Sequence, residues 1–221
     1  MTLERSSFLR EAQALLDSSL DYDQTLVRVA ELCVPRFADT CFIDVLEADG
    51  SLRRVDSVVN DQQARERLRV WAIKYPTRAG EPIAEVIRTG EPVFTPLVPD
   101  AVLLPLAQSE EHREVLLKRG PRSAMAIPLT ARGRVLGVLS FIRSRWAPGE
   151  PYTEAEFEQA KQFTQVAALA VDNARLYQEQ KRRWQSAVEE VKRLTDSLLH
   201  SLEEDRRRIA RDLHDGMGQR L

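Results

Sequence analysis

Hydrophobic and polar positions along this chain change period several times, and each change marks an element. Leu3, Phe8, Leu9, Ala12, Leu15 and Leu16 recur at helical spacing over residues 3 to 19. Asp21-x-x-Gln24 resembles a capping box, in which a side-chain oxygen takes up an otherwise unpaired helix-start N–H, and it predicts a second helix to about Val34. Pro35 follows. Cys41 to Glu47 reads as a strand, joined through the turn dipeptide Asp49-Gly50 to another from Leu52 to Val59. Helical segments are predicted at Ala64 to Lys74 and at Pro82 to Arg88, the latter with Pro inside its start and Gly90 past its end. Pro92 to Thr95 is a short strand candidate. Residues 96 to 122 hold Pro96, Pro99, Pro105 and Pro121, so a loop with short helical pieces is expected, the most mobile part of the chain. Ser123 to Thr130 and Val135 to Arg143 then form a second hairpin about Arg132-Gly133.

From Thr153 the period becomes helical, with Thr153-x-x-Glu156 as a capping box and no Gly or Pro before Gly216. After Tyr177 the apolar positions Trp184, Val188, Val191, Leu194, Leu198, Leu202, Ile209 and Leu213 recur every three or four residues, close to the 3.5 period of a coiled coil. Charged residues flank this narrow stripe on both sides. A stripe so narrow cannot bury itself, so a parallel homodimer is expected; an exposed single helix held by ion pairs is the alternative.

Composition narrows the class. In 221 residues, 43% are hydrophobic, enough for one packed domain and an extended element. Lys and Arg total 32 against 34 Asp and Glu, and a net charge of −2 provides no overall field for nucleic acid or an anionic membrane. Apolar runs such as 101 to 107 and 166 to 171 fall far short of the ~20 residues that span a bilayer, and no signal-peptide pattern follows Met1, so a cytoplasmic protein is expected. Cys33 and Cys41 lie in apolar periodic segments without a second Cys or His at ligand spacing. Buried reduced thiols and no metal site are expected.

The chemistry sits at the end, in Arg206 to Leu221. His214 and Asp215 fall on a basic, apolar-striped helix: an imidazole nucleophilic at neutral pH, beside a carboxylate able to hold the other ring nitrogen's proton. Asp215 and Gln219 are four apart and share a helix face, where an amide could orient water. A His-Asp pair alone is usually solvated helix surface. The flanks decide: the run from Glu204 through Arg206-Arg207-Arg208-Ile209-Ala210-Arg211-Asp212-Leu213-His214-Asp215-Gly216-Met217-Gly218-Gln219 resembles the dimerisation and phosphoacceptor motif of sensor histidine kinases, in the subclass of bacterial nitrate sensors and membrane-fluidity thermosensors. The resemblance implies that His214 is phosphorylated, that Asp215 is its general base and orienting partner, and that Gln219 positions water for the reverse phosphatase reaction. It also implies a response regulator with receiver and helix-turn-helix domains as partner. Leu221 precedes the second helix of that hairpin and no ATP-binding domain follows, so ATP and Mg²⁺ are expected to act in a parent protein only.

A second resemblance covers most of the rest. The opening DYDQTLVRVAELCVPRFADTCFIDVLEADGSLRRV, the hairpin SAMAIPLTARGRVLGVLSF and the helix VAALAVDNARLY are similar to the elements of a GAF domain. The implied architecture is α+β, a GAF-like antiparallel sheet flanked by helices and followed by a long dimeric coiled-coil helix. Residues 1–177 would be the sensor, 178–203 the signalling helix and 204–221 the start of the phosphoacceptor helix. The ligand is unknown from sequence. Asp44, inside an apolar strand, Trp71, in the third helix, and His112, in the loop-helix region, are pocket candidates; the plainer readings are core packing or an acid satisfied by backbone donors for the first two and a surface histidine for the third. Residues 42 to 221 lack Cys, which argues against covalent bilin; His112 stands in a charged stretch rather than the apolar wall a haem ligand needs. Arg78, Arg88, Arg119 and Arg122 could meet a cyclic nucleotide phosphate only by chance placement. A stand-alone GAF module, a sulfoxide reductase and a basic coiled-coil nucleic-acid binder are the alternatives. The last two are disfavoured by cysteine placement and by Glu203, Glu204, Asp205, Asp212 and Asp215 among the arginines.

Overall fold

The computed structural model describes residues 12, 14, 21–34, 36–47, 49–59, 62–76, 81–146 and 149–218. The helix expected at 3 to 19 lies outside them except for Ala12 and Ala14, both helical. Helix α1 (Tyr22–Cys33) begins where the capping pattern places it: Asp21 Oδ1 accepts the Gln24 N–H at 2.8 Å. It buries Leu26, Val29, Ala30 and Cys33, one helical face.

Five strands form one antiparallel sheet in the order β2-β1-β5-β4-β3: β1 (Thr40–Leu46), β2 (Leu52–Val59), β3 (Val93–Thr95), β4 (Pro121–Ala131) and β5 (Arg134–Ser144). Arg132 and Gly133 both take left-handed backbone, φ 50° and 72°, as a tight turn matching the strand twist requires. The first hairpin is looser than Asp49-Gly50 alone predicts. Its strands part at Leu46 and Leu52, and Glu47 N–H donates to Ser51 O at 2.9 Å across a wider loop.

Alternation along the strands divides the molecule into layers. Cys41, Ile43 and Val45 of β1 and Leu139 and Phe141 of β5 are buried in one core with α1 and the start of α6 (Glu154–Gly218). On the opposite face Val138 and Ala126 pack with Val86 of α3 (Pro82–Thr89), and α2 (Gln62–Lys74) stands beside it. Gly137 is required where β5 pairs with the end of β1, opposite Val45: a Cβ there would lie 2.2 Å from the Asp44 carbonyl oxygen.

Residues 96 to 122 are more ordered than their prolines suggest. After α4 (Asp100–Leu103) and a 3₁₀ turn at Leu104–Leu106 comes α5 (Glu110–Arg119), a ten-residue helix. Its sequence has little apolar periodicity, and its ends hold it instead. Ser109 Oγ accepts the His112 N–H at 3.1 Å, Glu110 and Glu111 occupy the positive end, and Lys118 and Arg119 the negative one.

Helix α6 opens with the reciprocal cap that Thr153 and Glu156 encode: Thr153 N–H donates to Glu156 Oε2 at 2.8 Å and Glu156 N–H to Thr153 Oγ1 at 3.3 Å. Phe157, Phe163, Ala167 and Val171 are buried in the sheet's core. The chain divides into two units, Met1–Arg175 and Leu176–Leu221. At the end of the first, the buried Asp172 pairs with Arg132 Nε at 2.9 Å and Arg175 Nη2 at 3.0 Å. In the second, Trp184, Val188, Val191, Leu194, Leu198, Leu202 and Ile209 are all exposed. Among the described residues no helix is long and apolar enough to cross a membrane.

Candidate functional site

A cavity of about 590 Å³ lies on the sheet face opposite α1. Its floor follows from strand alternation: Thr40 and Phe42 of β1 and Ile142 and Ser144 of β5 are the residues between those that fill the main core. Leu68 and Trp71 of α2 form one wall, and Val115 and Leu116 of α5 another. Arg54, Arg67 and Arg119 stand among the lining residues against one acid, Glu81. That is an apolar cleft edged by guanidinium groups, suited to an amphipathic ligand that accepts hydrogen bonds.

Helices α2 and α5 are joined by an aromatic seam. The His112 ring stacks on Tyr75 at 4.1 Å between centroids and meets Trp71 edge-on at 5.8 Å. Tyr75 Oη lies 3.0 Å from Ser109 Oγ and donates to Glu111 Oε2 at 3.3 Å, and Lys74 Nζ donates to the same carboxylate at 2.6 Å. The pair holds Lys74 above its ordinary value and Glu111 below, in both cases chiefly through their hydrogen bond. Gln108 N–H donates to His112 Nδ1 at 3.2 Å, so in the neutral ring the proton sits on Nε2. That nitrogen then offers a donor rather than the lone pair that iron needs, and the arrangement does not fit a haem ligand.

Asp44 shares the cavity's sheet face but does not line the cavity. It is buried and takes both hydrogen bonds of Arg54, from Nε at 2.8 Å to Oδ1 and from Nη2 at 3.1 Å to Oδ2. The acid in the apolar strand is satisfied by an arginine, not by backbone donors. Arg54 in turn lies over the Phe42 ring, 4.3 Å from its centroid. So Trp71 and His112 line the cavity together, Asp44 supports it from behind, and Arg54, Phe42 and Tyr75 are additions that sequence reasoning passed over. The signal for Arg54 was present: a hairpin closed at Leu46 and Leu52 places residues 44 and 54 opposite each other.

Of the arginines weighed for phosphate, only Arg119 lines the cavity; Arg88 binds Glu85 on its own helix, and Arg78 lies outside the described residues. Cys33 and Cys41 are both free and buried. His214 and Asp215 fall within the backbone of α6, their side chains outside the description, and Gln219 lies outside the described residues.

Comparison with known folds gives the same architecture. The GAF domain of an Acinetobacter phosphoenolpyruvate-protein phosphotransferase aligns over 80% of this chain and 97% of its own, with TM-score 0.57 at 15% identity. The corresponding domain from Coxiella burnetii covers 79% and 96%, TM-score 0.56 at 19% identity. A GAF domain/HD domain protein of Geobacter sulfurreducens covers 73% and 98%, TM-score 0.52 at 17% identity. At such identities the likeness is one of fold. The sequence family model for the GAF domain matches residues 19–172, the sheet, its flanking helices and the first part of α6, and the chain therefore belongs to the GAF domain family.

Proposed function

We propose that this chain is the input half of a cytoplasmic two-component sensor histidine kinase, in which a small ligand in the cavity alters the packing of α6 and so the presentation of His214. The observation that carries the reading is the ordered run from Glu204 to Gln219, which lies on from the helix that packs Phe157 and Phe163 against the sheet. In this reading an imidazole nitrogen of His214 attacks the γ-phosphorus of ATP held with Mg²⁺ by the parent protein's kinase domain, and ADP departs. Asp215 holds the proton on the other ring nitrogen, keeping the attacking one nucleophilic. The phosphoryl group then passes to a response regulator with receiver and helix-turn-helix domains, and Gln219 orients the water that later removes it. Two chains act as a parallel dimer through the stripe from Trp184 to Ile209.

A packing route supports the coupling. Phe42 and Ile142 touch the cavity, while Phe141, next along β5, faces the other side, 5.9 Å from Phe37. Phe37 is in turn 5.9 Å from Phe163 of α6. A close-packed core transmits a shift of β5 to that ring rather than absorbing it. A ligand that binds one packing better than the other by a few kcal/mol suffices to move the balance between them.

The test uses the parent protein with labelled ATP. His214→Gln should abolish acid-labile phosphorylation, whereas His112→Gln and His200→Gln should retain it. Labelling that survives in His214→Gln would leave a ligand-binding, dimerising GAF module with no part in phosphorelay.

A further inference from the structure

Arginine presents two hydrogen-bonding edges, a side-on fork from Nε and one terminal nitrogen, and an end-on fork from the two terminal nitrogens. In Arg54 the side-on fork is fully taken by the buried Asp44, and the guanidinium plane is fixed over Phe42. No described residue occupies the end-on fork, and Arg54 lines the cavity. The result is a planar bidentate donor, held at two points before any ligand arrives. Beside it stand aromatic and aliphatic walls, Phe42, Trp71 and Ile142.

We infer that the cavity takes a planar aromatic acid whose carboxylate docks fork-to-fork on the free edge of Arg54, with its ring between Trp71 and the Phe42–Ile142 floor. The inference rests on the reading of this cavity as the sensing site. An aromatic ring suits a lining that includes Phe42, Trp71 and Ile142, and a carboxylate matches the spacing of two parallel N–H donors. A pre-oriented guanidinium loses little side-chain freedom on binding, because Asp44 and Phe42 already hold it. Asp44 also neutralises most of the arginine's charge. The site therefore recognises shape and paired donors more than net charge, and Arg119, exposed at the rim, supplies the added attraction.

The experiment titrates the 221-residue chain with 2-naphthoate and with its neutral counterpart 2-naphthamide, reading tryptophan fluorescence and calorimetry. The acid should bind once per chain with a dissociation constant below about 1 mM, as expected for a compact ligand of this size, and the amide at least about tenfold more weakly. Arg54→Lys keeps a cation for Asp44 but has no end-on fork, and should lower affinity for the acid about tenfold while leaving the amide unchanged. Asp44→Asn leaves one acceptor for Nε but sets an amide N–H against Nη2, so the guanidinium loses one of its two fixed points and the acid should bind severalfold more weakly. Circular dichroism identifies any variant that fails to fold, and the acid-to-amide ratio on the unaltered chain stands without either variant. No binding of naphthoate at millimolar concentration, equal binding of acid and amide, or acid binding unmoved by both substitutions would each overturn the inference. Because binding is read on this chain and phosphorylation on the parent protein, failure here leaves the His214 assignment standing, and the reverse holds too.

Discussion

Replacing Leu198 with Asp tests whether the stripe on α6 is a dimer seam. Leu194, Leu198 and Leu202 are 51%, 65% and 64% exposed in the single chain, so more than half of each side chain remains to be buried. Full burial of a leucine contributes roughly 1.5–3 kcal/mol, so the remaining fraction contributes about 1–2 kcal/mol each. Three leucines from each of two chains thus contribute on the order of 6–10 kcal/mol, and Trp184, Val188, Val191 and Ile209, equally wet, add a comparable amount. Association costs roughly 4–15 kcal/mol in lost freedom, and a micromolar dimer needs a surplus of about 8 kcal/mol. The ion pairs along the helix, such as Arg193 with Glu190, lie in open solvent, where water and salt screen them, and do nothing to cover the leucines. Leu198→Asp removes two leucines from the seam and sets two carboxylates opposite one another, where desolvation alone is worth several kcal/mol per charge. Sedimentation equilibrium of the 221-residue chain should show a dimer at micromolar concentration, and the variant should associate at least about a thousandfold more weakly with the sheet domain's circular dichroism intact. If the variant's dissociation constant lies within tenfold of the original, the seam is elsewhere, with the half-exposed Leu169 the next position to change.

Gly137→Ala should destabilise the first unit by about 3 kcal/mol or more, because the added Cβ meets the Asp44 carbonyl oxygen at 2.2 Å and two strand backbones must separate to admit it; a denaturant midpoint shift equivalent to under about 1 kcal/mol would contradict the close approach of the two strands there. Cys33 and Cys41 are both buried, so neither should react with a thiol reagent until the chain is unfolded, and stoichiometric labelling of the native protein would refute that placement; burial, with Cys41 beside it, also pushes the Cys33 thiol well above the ordinary value of 9.0. Above pH 9 the unfolded Cys33 thiol ionises and the folded one does not, so the unfolded state holds fewer protons and stability should fall as pH rises.

What the chain's sequence determined by itself is local. The capping pairs Asp21 with Gln24 and Thr153 with Glu156 set where α1 and α6 begin, since each is completed within one turn. The β4–β5 hairpin was legible because Arg132-Gly133 carries its backbone requirement in adjacent residues. The motif around His214 is likewise contiguous, so it is legible without the fold. The cavity was not legible in that way. Trp71 and His112 become neighbours only when α5 packs beside α2, and the full ten-residue length of α5 was not legible among the short helical pieces expected there, because its caps and end charges, rather than apolar period, hold it. Asp44 read as an isolated acid in an apolar strand until pairing with β2 brought Arg54 opposite it. Which edge of Arg54 stays open was decided by that pair and by the ring of Phe42 together. Side-chain direction in a strand can be counted from sequence, but what stands across the sheet from it depends on packing between distant segments, and that is where the ligand face of this protein was made.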